Sequence, residues 1–285
     1  MDPRILPCLL FALAALLASG CTSLSGPNPP SPAVPTTGGP PVDADPAAVL
    51  ATIVGDVNAT LGAMDTSVAT AAAELGRSGL SGPEANASLE RAAAFSPHVA
   101  DAISIDPAGR VAAAMPVEYA RMIGTSLADQ AHVQAMLRDR RPMVSPIFTT
   151  TEGFDAAVLA HPVTGSDGSF RGIVSVAFDP SMLLADRIDR AVSGTTLSAW
   201  AMQTDGRVLY DPDLDRIGKN VLTDPAYAGS VELRALAGRM ATEPSGNGTY
   251  TFNRTGGGPV VTEQATWDTV GIHGVGWRVV VVREG

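Results

Sequence analysis

The sequence predicts an α+β fold, with a long N-terminal helix packed along two tandem antiparallel-sheet modules. Three observations carry that prediction. Apolar residues recur at Val49, Ile53, Val57, Leu61, Met64, Val68, Ala72 and Leu75, in steps of three and four that hold a helical period over about eight turns. Beyond residue 100, strand and turn signals run strand-strand-helix-strand-strand-strand, and then do so again. Gly109-Arg110-Val111 leads after eleven residues to Ile123-Gly124, and Gly206-Arg207-Val208 leads after eight to Ile217-Gly218. A repeat of about 80–90 residues implies two similar modules rather than one large sheet.

Asp45-Pro46 opens the helical segment, residues 45–100: a capping carboxylate precedes a proline whose fixed φ suits the first turn. Gly76 is expected to close the first helix, a rod of roughly 46 Å. Gly55 and Gly62 each cost about 1 kcal/mol relative to Ala, so packing must support it. Its single apolar stripe predicts docking on the chain's own modules, with a modest homodimer contact at most. Ser81-x-x-Glu84 reads as a capping box for a second helix ending before Pro97.

The first module, 101–196, is expected to hold a hairpin around Asp106-Pro107-Ala108-Gly109 and a helix over 126–139. Strands at 143–148, 154–162 and 170–178 and a connecting helix over 181–192 complete it. The second, 197–285, repeats the order, with strands at 197–203 and 207–210, a helix over 232–241, and strands at 249–253, 259–267 and 277–283. Each sheet is expected to carry its helices on one side.

Residues 1–20 read as a signal peptide: Arg4, then an apolar run from Ile5 to Ala18 too short to span a bilayer, then small residues. Cys21 directly after Ala18-Ser19-Gly20 resembles the lipobox of prokaryotic lipoproteins, although Ala18 stands where leucine is preferred. That resemblance implies cleavage before Cys21 and lipid on its thiol. Residues 21–44 form a proline-rich tether: eight prolines fall between 26 and 46, and in an extended state the segment reaches on the order of 60 Å. No later run of 18 or more apolar residues follows, so the expected protein is wholly external and carries no output domain. Sequons at Asn58, Asn86, Asn247 and Asn253 suit that location.

Composition excludes several function classes. Against 19 Lys+Arg stand 29 Asp+Glu, a net charge of −10, which argues against affinity built on nucleic-acid phosphates. The only cysteines, Cys8 and Cys21, precede the folded part, and four histidines are few for a multi-histidine metal enzyme. No Gly-x-Ser-x-Gly or His-Glu-x-x-His motif is present. No enzyme, cofactor or metal is therefore expected. Asp211, Asp213 and Asp215 alternate after a strand, but Arg216 and Leu222 occupy the glycine and glutamate places of a calcium loop, so a solvated acidic turn is expected. Gly256-Gly257-Gly258 reads as a hairpin loop.

The ordered motifs resemble those of extracellular double Cache sensor domains, whose long helix runs along two stacked PAS-like modules. The stretches are Ile123-Gly124-Thr125-Ser126-Leu127, Val144-Ser145-Pro146, His161-Pro162-Val163, Asp167-Gly168 and Gly172-Ile173-Val174. In the second module they are Thr204-Asp205-Gly206-Arg207-Val208-Leu209-Tyr210, Ile217-Gly218-Lys219-Asn220, and Trp267 with Trp277. The resemblance implies ligand sensing outside the cell, in the membrane-distal first module. Tyr119, Arg121, Gln130, His132, Ser145 and Phe148 fall in the segments that would line its pocket and suit a small polar or weakly anionic ligand. His132 as a surface residue and Phe148 as core are the competing readings. Amino-acid-binding members carry an arginine and an aspartate that Asp129-Gln130-Ala131-His132-Val133 and Ser175-Val176-Ala177-Phe178 lack, so an α-amino acid is not expected. The implied partners are membrane lipid through Cys21 and a membrane-bound signalling protein. The alternative function is a surface structural or interaction lipoprotein with filled pockets.

Overall fold

The central strands are apolar on both faces, which demands cover on both sides of each sheet. In β6 (Phe170–Phe178), Val174, Val176 and Phe178 enter one core while Ile173 and Ala177 enter another. In β11 (Trp277–Glu284), Trp277, Val279 and Val281 point one way and Val280 and Val282 the other. Helices on one side only, as the sequence suggested, would leave half of these side chains in water.

The structure is a computed structural model and describes residues 40–150, 155–253 and 260–285, without the side chains of Phe252 and Asn253. The signal peptide, Cys21, most of the tether and Gly256-Gly257-Gly258 lie outside the described residues. The helices are α1 (Pro46–Ser78), α2 (Pro83–Ala93), α3 (Ala131–Asp139), α4 (Pro180–Val192) and α5 (Val231–Thr242). One sheet holds β1 (Val99–Ile105), β2 (Val111–Met115), β3 (Met143–Val144), β4 (Phe148–Thr149), β5 (Asp155–Thr164) and β6. The other holds β7 (Ser198–Gln203), β8 (Val208–Tyr210), β9 (Gly246–Asn253), β10 (Val260–Val270) and β11. Their orders are β2-β1-β6-β5-β3, with β4 also on β5, and β8-β7-β11-β10-β9. All pairings are antiparallel, and the two orders correspond strand for strand.

The repeated letters have a shared hydrogen-bond origin. Gly124 N–H donates to the Val111 carbonyl and Gly218 N–H to that of Val208, at 2.8 and 2.9 Å. Val111 and Val208 donate in return to Thr125 and Lys219, and Leu127 and Val221 to Gly109 and Gly206. The Ile-Gly pair turns the chain back onto the hairpin, and Gly124 (φ 85°) and Gly218 (φ 81°) adopt the left-handed conformation this requires. Because Ser126–Gln130 serve this return, α3 starts at Ala131 and not at residue 126.

One stripe of α1 organises the molecule. Leu50, Ile53, Val57, Leu61, Met64, Val68, Ala71, Ala72 and Leu75 are buried, starting one residue after Val49. They share a core with Leu159, Val163 and Val176 of the first sheet, Ala199, Ala201 and Val279 of the second, and Leu183, Leu184 and Ile188 of α4. Each large apolar side chain contributes about 1.5–3 kcal/mol on burial, which outweighs the roughly 2 kcal/mol cost of Gly55 and Gly62. By length and composition α1 is apolar enough to cross a membrane. Its buried stripe is nevertheless covered by both sheets, and Thr52, Asp56, Thr66 and Thr70 face outward. It is the core helix of this fold. The sheets are also joined directly, by Arg207 to Asp155 at 2.5 Å and by the Ile147 N–H to Gln203 Oε1 at 3.1 Å.

Two expectations change at the helix ends. α1 continues through Gly76 to Ser78, and Gly79 (φ 97°) stops it. Gly76 is there for space: a Cβ would enter the van der Waals envelope of the Thr164 carbonyl oxygen on β5. The Ser81 capping box does not form, because Pro83 takes the first helical position and makes Gly82 the cap. The tether's end is held, with Val42 bridging Thr195 and Arg283 bonding the Ala44 carbonyl at 2.5 Å and Asp43 at 2.9 Å.

Gly76→Ala should therefore destabilise by about 1–3 kcal/mol through overpacking. Gly62→Ala, where nothing lies within 4 Å of the added Cβ, should stabilise by about 0.5–1 kcal/mol. Urea denaturation measures both, and equal signs would refute the close-packing argument.

Candidate ligand pocket

With one face of each sheet committed to α1, the opposite face is open to a cavity of its own. On the second sheet, Trp200, Met202, Val280 and Val282 pack toward Leu233, Leu236, Ala237 and Met240 of α5. The packing leaves a cavity of about 420 Å³. Trp200, Val208, Val221, Tyr227, Leu233, Tyr250 and Val282 form its apolar wall, and Asp211, Asp213, Arg216 and Glu263 supply charge.

The charged groups come from the return segment between β8 and Gly218. Asp211 follows β8 and is only 7% exposed. Its Oδ1 accepts the Asp213 N–H at 2.8 Å, and Oδ2 lies 3.5 Å from an Arg216 Nη1. Asp213 caps the 3-10 turn Leu214–Arg216 and reaches Arg216 Nε at 3.3 Å. Tyr250 on β9 donates its hydroxyl to Glu263, its cross-strand neighbour on β10. Among the described residues the buried Trp200 indole N–H meets no acceptor of full hydrogen-bond geometry, although it interacts with Tyr250. Burial pushes the Asp211 carboxyl above its usual range, against the Asp213 N–H and Arg216 that pull it down. Burial, then the charge of Asp211, pushes the Tyr227 phenol up to about 12. Burial and Glu263 likewise raise Tyr250. The result is an aromatic-walled pocket with three carboxylates and one guanidinium.

On the first sheet the corresponding face packs an apolar cluster against α3, and a hollow of about 410 Å³ lies beside it, lined by Ala135, Asp139, Arg141, Pro142 and Met143. Met136 and Val133 of α3 pack on Ile103, Val158 and Ile173, with Tyr119, Met122, Met143, Phe148 and Phe170 around them. Among the six anticipated residues, Tyr119 and Phe148 belong to this cluster. His132 stacks on Phe148, ring centroids 5.6 Å apart, and burial lowers its pKa. The Ser145 hydroxyl donates to the Pro146 carbonyl and accepts the Val158 N–H at 2.9 Å, so it extends the sheet. Arg121 and Gln130 are exposed.

Known proteins bear on this geometry in three ways. Residues 59–180 match the family described as HK/GC/chemotaxis protein-like, sensor domain. No curated protein matches the chain. An extracellular ligand-binding receptor from Desulfohalobium retbaense is similar at TM-score 0.69 and 29% identity, over 82% of this chain and 39% of that one. This chain thus spans well under half of that receptor's length. The ligand-binding domain of the Pseudomonas fluorescens chemoreceptor CtaA, solved with L-serine, matches at TM-score 0.62 and 12% identity, over 84% of this chain and 95% of that one. That of the Pseudomonas aeruginosa chemoreceptor PctC, solved with GABA, matches at 0.54 and 17%, over 83% and 97%.

This is a Cache-like double-module fold.

In the Cache-like fold the anticipated pocket segment, the return after the first hairpin, occurs once in each module. Sequence reasoning singled out Tyr119 and Arg121 in the first copy and read Asp211, Asp213 and Asp215 in the second as a solvated acidic turn, in which Asp211 is instead buried. Asp211, Asp213 and Arg216 stand between the Gly-Arg-Val and Ile-Gly marks, where Tyr119 and Arg121 stand in the other copy.

A carboxyl whose pKa is raised by folding contributes its stability below the unfolded value and loses it as pH rises through the folded value. Asp211→Asn should therefore gain melting temperature on the parent as pH climbs from the ordinary 3.8 toward 7. A constant difference across that range would contradict the burial argument.

Proposed function

We propose that the chain is an extracytoplasmic sensor of small amines, amino acids foremost, which bind in the second-sheet cavity. The carrying observation is that cavity's chemistry. Three carboxylates against one guanidinium favour an ammonium group, and Trp200, Tyr227 and Tyr250 offer aromatic faces for it. Arg216 provides a counterpart for a ligand carboxylate, as an amino acid needs. A cavity of about 420 Å³ falls in the usual range for small-molecule sites. The weakly anionic ligand expected from the first-module residues suits this cavity poorly. The neighbours solved with L-serine and GABA support the same ligand class.

Lipid on Cys21 and the proline-rich segment hold the sensor outside the membrane in this reading, and a membrane-bound partner reads the movement of the second sheet against α1. The leader motif supports the anchor. Cys21→Ser should release the protein from the membrane to the soluble fraction, and retention there would refute the lipid attachment.

Thermal-shift and calorimetric titration with L-serine, L-alanine and GABA test the ligand reading. At least one should bind, and Arg216→Ala or Asp211→Asn should weaken it tenfold or more, consistent with roughly 1.5–3 kcal/mol for a charged hydrogen bond. Tyr119→Ala should leave it intact. Binding that survives both pocket variants, or is lost with Tyr119→Ala, would place the ligand elsewhere.

A further inference from the structure

Two of the four histidines, far apart in sequence, meet on one carboxylate oxygen. Asp65 lies on α1, His161 on β5, and His273 in the turn between β10 and β11. Nε2 of His161 and Nε2 of His273 each lie 2.6 Å from Asp65 Oδ1. The two rings stand nearly perpendicular, 5.8 Å between centroids. All three donor atoms fall within 4.8 Å of one another.

We propose that Asp65, His161 and His273 form a binding site for a divalent transition-metal ion, zinc by donor type, which clamps α1 to both sheets. Two neutral imidazoles and a carboxylate on one side of an ion are a donor set that zinc accepts, with water in the remaining position. The site is buried on one side and open on the other. The His161 side chain is 11% exposed, while those of Asp65 and His273 are each 26% exposed. Solvent therefore reaches the carboxylate and the outer imidazole, where entry of an ion and its water ligand requires it.

The spacing fits after a small adjustment. Metal–donor lengths of about 2.0–2.2 Å set tetrahedral donors roughly 3.3 Å apart. The imidazole nitrogens must therefore retreat from Oδ1 by somewhat under ~1 Å. The exposed His273 side of the turn can supply this: His273 sits at φ 52°, while Ile272 and Val275 pack against the core and the Gly271 N–H donates to Asn58 Oδ1 at 3.0 Å. Each ligand comes from a different layer, so an ion here would join the helix, the first sheet and the second sheet at one point. The site lies in the layer of α1, on the other side of the second sheet from the ligand cavity, and does not depend on what that cavity binds.

The test uses the full-length chain with Cys8→Ser and Cys21→Ser, which removes competing thiolates. After loading with Zn²⁺ and dialysis against metal-free buffer, one zinc per chain should be retained. At a hundredfold excess of Zn²⁺ over its Kd the melting temperature should rise by about 5–10 °C. His273→Asn tolerates the left-handed backbone and sits on an exposed turn, so it should fold and lose both effects. Asp65→Asn should do the same, while His132→Ala, on the first sheet's far face, should keep them. Co²⁺ should give visible absorption bands in the parent and none in His273→Asn. Failure to retain zinc, or equal retention by His273→Asn, would overturn the proposal and leave Asp65 as a hydrogen-bond hub.

Discussion

Everything in this fold depends on the burial of one side of α1. Nine of its residues lie in a core that continues through one face of each sheet and through α4. Among the described residues, two antiparallel sheets of five and six strands share no hydrogen-bonded edge, so this apolar seam, with a few polar bridges, is what sets their relation. The seam runs nearly the length of the helix, which explains why a helix of 33 residues is needed and why its glycines are tolerated. Gly76 shows how tightly the helix lies on β5.

The same constraint decides which sheet faces remain open. Once the inner faces are spent on α1, the outer faces are free to differ, and they have diverged. In the first module, methionines and aromatic rings pack between α3 and the sheet. In the second, the equivalent space is a cavity with Asp211, Arg216 and Glu263 on its wall. The topology of the return segment is identical in both, down to the three hydrogen bonds around Gly124 and Gly218. What differs is the side chains carried between the hairpin and that glycine.

Much of the fold was legible because its signals are local and periodic. The α1 stripe, the order of strand and turn signals and the Gly-Arg-Val/Ile-Gly repeat all follow from periodicity, dihedral and hydrogen-bond rules that act within a few residues. Element ends were less legible where tertiary contacts decide them. Ser126–Gln130 look helical but are held by the hairpin, and Gly76 looks like a terminator but is a close-packing site. The pocket was harder still. Asp211 carries no sign in the sequence that it is buried, since that burial comes from tertiary packing and not from local pattern. The Asp65–His161–His273 cluster is invisible by spacing, because its members are 96 and 208 residues apart from Asp65 in the chain.

Hydrogen exchange in the presence of whichever amino acid raises the melting temperature tests the divergence of the two modules most directly. Bound ligand should slow exchange at residues 211–227 and in the first turns of α5, and leave residues 117–132 unchanged. Protection confined to residues 117–132 would mean that the first module holds the site and that the second-sheet cavity has another purpose.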